Sequence, residues 1–115
     1  MIGHLAMSGV LVAGCATAPA PHARVASSEG AIRGAEEAGA TNSPQAALHL
    51  KLAQEQRDAA LLLLKDGDGE RADFVLMRAE ADAELAVALS HEAQSRAKAE
   101  KTLESVRALK GAVTK

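Results

Sequence analysis

The sequence is almost without aromatic side chains: it has one phenylalanine and neither tryptophan nor tyrosine. Alanine makes up about half of the apolar residues. Burying an alanine removes little area from water, whereas a buried leucine or phenylalanine side chain contributes roughly 1.5–3 kcal/mol. A large enclosed core is therefore not expected. Slender helices that pack through small side chains fit this composition, and 115 residues are enough for one domain.

The chain also lacks a large excess of charge of either sign, since the formal net charge is −2 and the pI is near 6.1. Nucleic-acid binding needs a concentrated basic face or aromatic stacking platforms, so no nucleic-acid partner is expected. The chain has a single cysteine, Cys15. One thiol excludes an internal disulfide and a cysteine-rich zinc site.

The first fourteen residues carry no charged side chain. The apolar run from Leu5 to Ala13 has the length of a signal-peptide core and is too short to span a bilayer as a helix. It ends in Leu11-Val12-Ala13-Gly14-Cys15, which resembles the lipobox of bacterial lipoproteins. The resemblance implies cleavage between Gly14 and Cys15, with a diacylglycerol on the Cys15 sulfur and an acyl chain on its new amino group. The alternative interpretation is an apolar turn with a buried cysteine.

Three segments are thus expected: a signal peptide over residues 1–14, a lipidated cysteine with a flexible Pro/Ala tether over residues 15–28, and an alanine-rich helical domain over residues 29–115. Apart from the lipid on Cys15, no cofactor or metal is expected. Ala16 differs from the aspartate that retains enterobacterial lipoproteins in the inner membrane. By that resemblance, in a cell with two membranes the lipid anchor is expected in the outer membrane, with the domain facing the periplasm. The inner membrane and the cell surface are the alternatives.

The domain shows three helical patterns and no strand pattern. The first, about Ser28 to Ala38, is weak because each of its two internal glycines costs roughly 1 kcal/mol relative to alanine. The second should run from Pro44, capped by Ser43, to about Lys65. The third, capped by Asp68, should run from about Gly69 to Leu109. Since the turn between the last two is short, the sequence predicts an all-α fold built on an antiparallel hairpin of two long helices.

Apolar spacing predicts which residues pack between these helices. Leu48, Leu52 and Leu62 recur at helical steps on the second helix. The third helix carries a seam with alternating steps of three and four, as in a coiled coil: Ala72, Leu76, Ala79, Ala83, Ala86, Ser90, Ala93 and Ala97. Phe74, beside the turn, is expected to be a packing anchor. The run Leu61–Leu64 exceeds what two slim helices bury, and the distal half of the longer third helix should either project or meet a partner.

This order of elements resembles the bacterial family catalogued as domain of unknown function 4398: a lipoprotein signal, a Pro/Ala linker, a short Ala/Glu helix, Ser-Pro, a Leu/Ala helix ending in Asp-Gly-Asp, and an Ala/Glu/Arg helix. The resemblance covers nearly all of the chain after Cys15 and rests on composition rather than on a chemical motif. It implies an envelope lipoprotein with a tetratricopeptide-like body, sometimes associated with peptidoglycan-binding outer-membrane proteins. It supplies no catalytic residues.

Motifs that could carry chemistry are incomplete. His91-Glu92 begins like a zincin helix, but Ser95 stands where the second zinc ligand belongs. The turn around Asp68 has oxygens like those of a calcium loop, yet Arg71 replaces its glycine. The same turn fits a dinucleotide-binding glycine pattern, but too little chain follows it for that fold. An enzyme is not expected.

The leading hypothesis from sequence is a non-enzymatic scaffold or adaptor that docks a partner protein or forms a homo-oligomer. The alternatives are a ligand-binding module with a tetratricopeptide-like groove for peptide or cell-wall glycan, and a cytosolic coiled-coil protein. The basic end, Arg96 to Lys115, could contact an acidic partner, anionic lipid headgroups or cell-wall polymer. The simpler interpretation of this end is complementation of the helix dipole together with solubility.

Overall fold

The computed structural model describes residues 21–114. The expected signal peptide, Gly14, Cys15 and the first part of the expected tether lie outside the described residues. The described part contains three α-helices and no strand: α1 (Pro21–Glu37), α2 (Pro44–Lys65) and α3 (Gly69–Val113), with a 3-10 turn at Ala40–Asn42. None of these helices combines the length and the hydropathy that a membrane span requires.

The limits of α2 and the start of α3 follow from local signals, as the sequence predicts. Ser43 has extended backbone before Pro44, the first residue of α2. Gly67 has φ of 82° after the end of α2, a left-handed conformation that favours glycine. Asp68 begins α3, and its carboxylate accepts the backbone N–H of Arg71 at 3.3 Å. The turn therefore reverses the chain and sets α3 against α2.

The α2–α3 pair packs through small side chains. On α3 the seam lies fully or almost fully buried over Ala72, Leu76, Ala79, Ala83, Ala86 and Ser90. On α2 the buried residues are Ala46, Leu50, Ala53 and Ala60. Alanine at most contact positions allows the two helix backbones to approach closely, which suits the composition. The two long helices thus form the packed hairpin that the sequence predicts.

The leucine stripe of α2 does not lie in this interface. Leu48 and Leu62 are 55% and 65% exposed, and Leu52 is only half-buried. The expected packing of these leucines between the helices is therefore wrong, and Ala46, Leu50, Ala53 and Ala60 occupy the interface instead. A leucine at each contact would force the two helix backbones apart. The larger side chains of α2 therefore point outward.

Phe74 also differs from its expected place, with 62% of its surface exposed. Ala72, Leu76 and Ala79 occupy the inward positions of α3 at this level. A residue two positions before Leu76 points to the opposite side of the helix. The only aromatic ring of the chain thus lies on the outer surface of α3.

α1 is longer than expected, since residues 21–28, taken from sequence as part of the tether, belong to this helix. Val25 packs against the apolar cluster formed by Ala60, Ala72 and Leu76. Arg24 forms an ion pair with Asp73 at 2.7 Å. Pro21 stands at the first position of the helix, where proline is tolerated, and these contacts with α2 and α3 stabilise the turns that follow.

α1 runs alongside α3 in the same direction. Arg24, near its start, contacts Asp73 near the start of α3, and the carbonyl of Ala38, just after its end, accepts the side-chain amide of Gln94 at 2.8 Å. Ile32 and Ala35 join the central apolar cluster with α2 and α3. The first half of α3 is therefore the shared member of a three-helix bundle.

The second half of α3 extends beyond the bundle. Every residue from Gln94 to Thr114 is exposed. We call residues 94–113 the free half of α3. At a rise of 1.5 Å per residue this segment projects by about 30 Å.

Candidate functional site

Inside the bundle, one carboxylate joins α3 to two polar side chains of α2. Asp82 Oδ1 lies 2.8 Å from His49 Nδ1, and its Oδ2 accepts a hydrogen bond from Gln56 Nε2 at 2.8 Å. His49 and Asp82 are 27% and 21% exposed. Both oxygens of this carboxylate are therefore engaged across the α2–α3 interface.

A second polar group joins α1 to α3. The Arg24 guanidinium pairs with Asp73 at 2.7 Å and lies 3.9 Å from Glu80. Its side chain is only 17% exposed. Charge-assisted hydrogen bonds of this kind are stronger than neutral ones and fix the relative position of two helices. These contacts of Arg24 hold α1 in register with α3.

Neither polar group has the parts of a catalytic centre among the described residues. The serine and threonine hydroxyls whose hydrogen bonds the structure describes donate to helix backbone carbonyls rather than to His49. Residues 21–114 contain no group of three His, Cys, Asp or Glu side chains placed to hold a metal ion. In both groups, polar side chains of one helix bind those of another and hold the helices together.

The sequence patterns described above did not predict these polar contacts. A usable signal existed, because His49 precedes the Asp66–Asp68 turn by about as many residues as Asp82 follows it. In an antiparallel hairpin, residues at equal distances from the turn lie opposite each other. His91, in contrast, is exposed on α3, as the sequence interpretation has it.

Three apolar rows remain exposed. One lies on the outer side of α3 and comprises Phe74, Met77, Ala81, Leu85 and Ala88. Of the other two, the first, which we call the outer leucine face of α2, consists of Leu48, Leu52, Ala59 and Leu62. These positions share one side of the helix because they follow each other at steps of four, seven and three residues. Glu55, which pairs with Lys51 at 3.7 Å, lies within this face between Leu52 and Ala59.

The second surface, which we call the distal stripe, lies on the free half of α3. Its members follow at steps of four, three, three and four residues and share one helix face: Ala99, Leu103, Val106, Leu109 and Val113. The exposed fractions of its four larger side chains run from 43% at Val106 to 85% at Val113. No other element of the described chain covers this stripe.

A small groove lies where α3 leaves the bundle. It has a volume of about 220 Å³ and is lined by Gly39, Asn42, Ser43, Ser90, Ala93, Gln94 and Ala97. Pockets for small molecules usually measure about 300–1,000 Å³ and are mostly apolar. This groove is smaller and partly polar, so the exposed apolar surfaces are the stronger candidates for function.

The comparisons with known proteins add no relative to this picture: no family model, no curated protein and no solved structure matches the chain.

Proposed function

We propose that this protein is a bacterial envelope lipoprotein, anchored through Cys15, whose helical bundle acts as a non-enzymatic scaffold or adaptor. The anchor is supported by the lipobox-like Leu11-Val12-Ala13-Gly14-Cys15 that follows an uncharged apolar run. Several acyl chains on one cysteine would hold the chain firmly, since each buried methylene contributes about 0.8 kcal/mol. Ala16, where an aspartate would favour retention in the inner membrane, favours the outer membrane and the periplasm.

The adaptor role depends on one observation, the outer leucine face of α2. The bundle fills its interior with alanine and leaves Leu48 and Leu62 more than half exposed. Clusters of exposed apolar side chains on a small domain are typical of protein-binding surfaces. An amphipathic partner helix fits a helix face of this kind. The partner would be a second copy or another envelope protein, such as one associated with peptidoglycan.

The consecutive antiparallel helices α1 and α2, followed by α3, are compatible with a tetratricopeptide-like body. A peptide- or glycan-binding groove in such a body is the rival function. Its support between α3 and the rest of the bundle is the groove near Gly39 and Gln94, whose volume of about 220 Å³ is small for a ligand site. Helix docking on the outer leucine face therefore explains more of the exposed surface.

The lipid anchor is tested by mass spectrometry of the amino terminus of the protein purified from bacterial membranes. We expect a chain that begins at Cys15 and carries the mass of a diacylglycerol, with or without a third acyl chain. The Cys15→Ser variant should keep residues 1–14 and lose the membrane-bound fraction. An unmodified Cys15 with the first fourteen residues still attached would contradict the proposal.

The helix-docking surface is tested by self-association, for which a second copy serves as the partner. In light scattering, the Cys15→Ser chain should form a species larger than a monomer, and adding Leu48→Gln and Leu62→Gln should return it to the monomer. The matched control is Leu103→Gln with Leu109→Gln, since these leucines are 55% and 67% exposed against 55% and 65%. A monomer at every concentration, or equal effects of both pairs, would contradict self-docking through α2.

A further inference from the structure

The distal stripe is the larger apolar surface that the adaptor role leaves unused, and its surroundings are strongly charged. Between residues 94 and 114 the chain has five basic side chains against two acidic ones: Arg96, Lys98, Lys101, Arg107 and Lys110 against Glu100 and Glu104. All of these residues are exposed. Beyond Ala97, the free half of α3 is therefore a basic amphipathic helix with no neighbour in the described structure.

The charges are ordered around the helix, not only along it. Glu104 lies two residues before Val106 and so points nearly opposite to the distal stripe. At about 100° per residue, Arg107 and Lys110 lie along one border of the stripe, and Lys98 lies along the other. Basic side chains on both borders can keep their aliphatic stems on an apolar phase while their charges reach outward to anionic groups.

Dipole complementation does not explain this order. The helix dipole acts within the last turn, which contains Lys110 but not Lys98 or Arg96. Glu100, seven residues before Arg107, shares its side of the helix. Lys101 lies near Glu104 on the side opposite the stripe. Solubility alone would still not place Lys98, Arg107 and Lys110 along both borders of the stripe. The pattern instead matches helices that lie in the plane of a membrane interface, with lysine and arginine on the polar face and leucine on the other.

We propose that the free half of α3 lies on an anionic lipid surface, with the distal stripe among the acyl chains and the basic borders among the headgroup phosphates. Pairing with the free half of a second copy is disfavoured, since that free half brings the same excess of positive charge. The bundle half of α3 is acidic on balance, with Glu70, Asp73, Glu80, Asp82, Glu84 and Glu92 against Arg71 and Arg78. Because the bundle half of α3 is acidic and the free half is basic, only the free half is attracted to an anionic surface.

This inference does not depend on lipidation of Cys15, and it is tested on the full chain with Cys15→Ser. The natural chain has neither tryptophan nor tyrosine. The fluorescence of one introduced tryptophan therefore comes from that position alone. Leu109→Trp reports the distal stripe, and Leu62→Trp is the matched control on α2, since the two leucines are 67% and 65% exposed. Residues 1–14 are the same in both variants.

With vesicles of mixed phosphatidylcholine and phosphatidylglycerol, the emission maximum of Leu109→Trp should move to shorter wavelength while that of Leu62→Trp stays in place. Vesicles of phosphatidylcholine alone should produce little shift. Neutralising Arg107 and Lys110 with glutamine in the Leu109→Trp chain should raise the lipid concentration at half effect by about fivefold per residue. The charge control is Lys51→Gln with Arg71→Gln, whose side chains are 72% and 73% exposed on the bundle and should leave binding unchanged.

Three outcomes would overturn the proposal. The first is no shift of Leu109→Trp with anionic vesicles, and the second is an equal shift of Leu62→Trp. The third is a shift of Leu109→Trp without lipid that grows with protein concentration, which would identify a second copy as the occupant. Because Cys15 is replaced throughout, failure here leaves the lipid-anchor proposal intact, and loss of acylation in cells leaves this inference intact.

Discussion

Replacing Ala83 with leucine is expected to destabilise the bundle by about 3 kcal/mol, a large share of the roughly 5–15 kcal/mol that holds a small domain together. Ala83 is completely buried and packs in the cluster that contains Ala46, Leu50 and Ala53. Three further carbons at this position cannot be accommodated unless α2 moves away from α3. Urea unfolding followed by circular dichroism measures the change in the free energy of unfolding.

The matched control for this substitution lies two residues away. Ala81 is exposed on the opposite side of α3, and Ala81→Leu should change the free energy of unfolding by no more than about 0.5 kcal/mol. The two variants have the same composition, so intrinsic helix propensity cancels in their comparison. Equal stability of the two would show that Ala83 does not lie in a tight helix–helix contact.

The sequence was sufficient for the elements whose ends are fixed by local chemistry. Ser43-Pro44 and the Asp66–Asp68 turn determine the limits of α2 and the start of α3, because caps, proline and glycine act within one turn of the helix. The seam of α3 also follows from its spacing. Its members alternate at three and four residues whether or not the partner helix is known.

The packing face of α2 could not be inferred in the same way. Two stripes on this helix are apolar, one rich in leucine and one rich in alanine, and hydropathy alone favours the leucine stripe. The structure buries Ala46, Ala53 and Ala60 instead. Since the seam of α3 is itself mostly alanine, small residues on both sides give the closest contact. Which stripe of α2 is buried depends on its fit to α3, and the sequence of α2 alone does not determine that fit.

The beginning of α1 depended on contacts that are distant in sequence. Residues 21–28 contain small side chains and a proline, which favour a flexible tether when considered alone. Arg24 finds Asp73, and Ser28 is buried with its hydroxyl donating to the carbonyl of Val25 at 2.8 Å. Tertiary packing thus outweighs a weak local preference, as it commonly does for short helices.

The alanine-lined interface has a functional consequence. Because small side chains fill the contacts between the helices, Leu48 and Leu62 of α2 lie outside these contacts and are more than half exposed. Leu103 and Leu109 are also more than half exposed, on the free half of α3 beyond the bundle. We assign partner docking and lipid contact to these exposed leucines. The same composition therefore limits the size of the core and provides the interaction surfaces.

Leu76→Ala is expected to be the most damaging truncation, with a loss of about 3 kcal/mol in the free energy of unfolding. Leu76 is the largest completely buried side chain of the described residues. It belongs to the cluster in which Val25, Leu63 and Leu64 meet α3. Its removal leaves a cavity that three helices must share, so α1 should loosen together with the α2–α3 hairpin. Thermal unfolding should show a midpoint lowered by about 15 °C.

The matched control is Leu62→Ala, which removes the same atoms from a side chain that is 65% exposed. Its effect on the free energy of unfolding should stay within about 0.5 kcal/mol, because most of that surface is already in water. Its effect on self-association should be large, since Leu62 belongs to the outer leucine face of α2. The two leucines would then separate the two roles of apolar side chains in this protein, one in stability and one in binding. Comparable losses of stability in both variants would contradict the division between an alanine-lined interior and a leucine-bearing exterior.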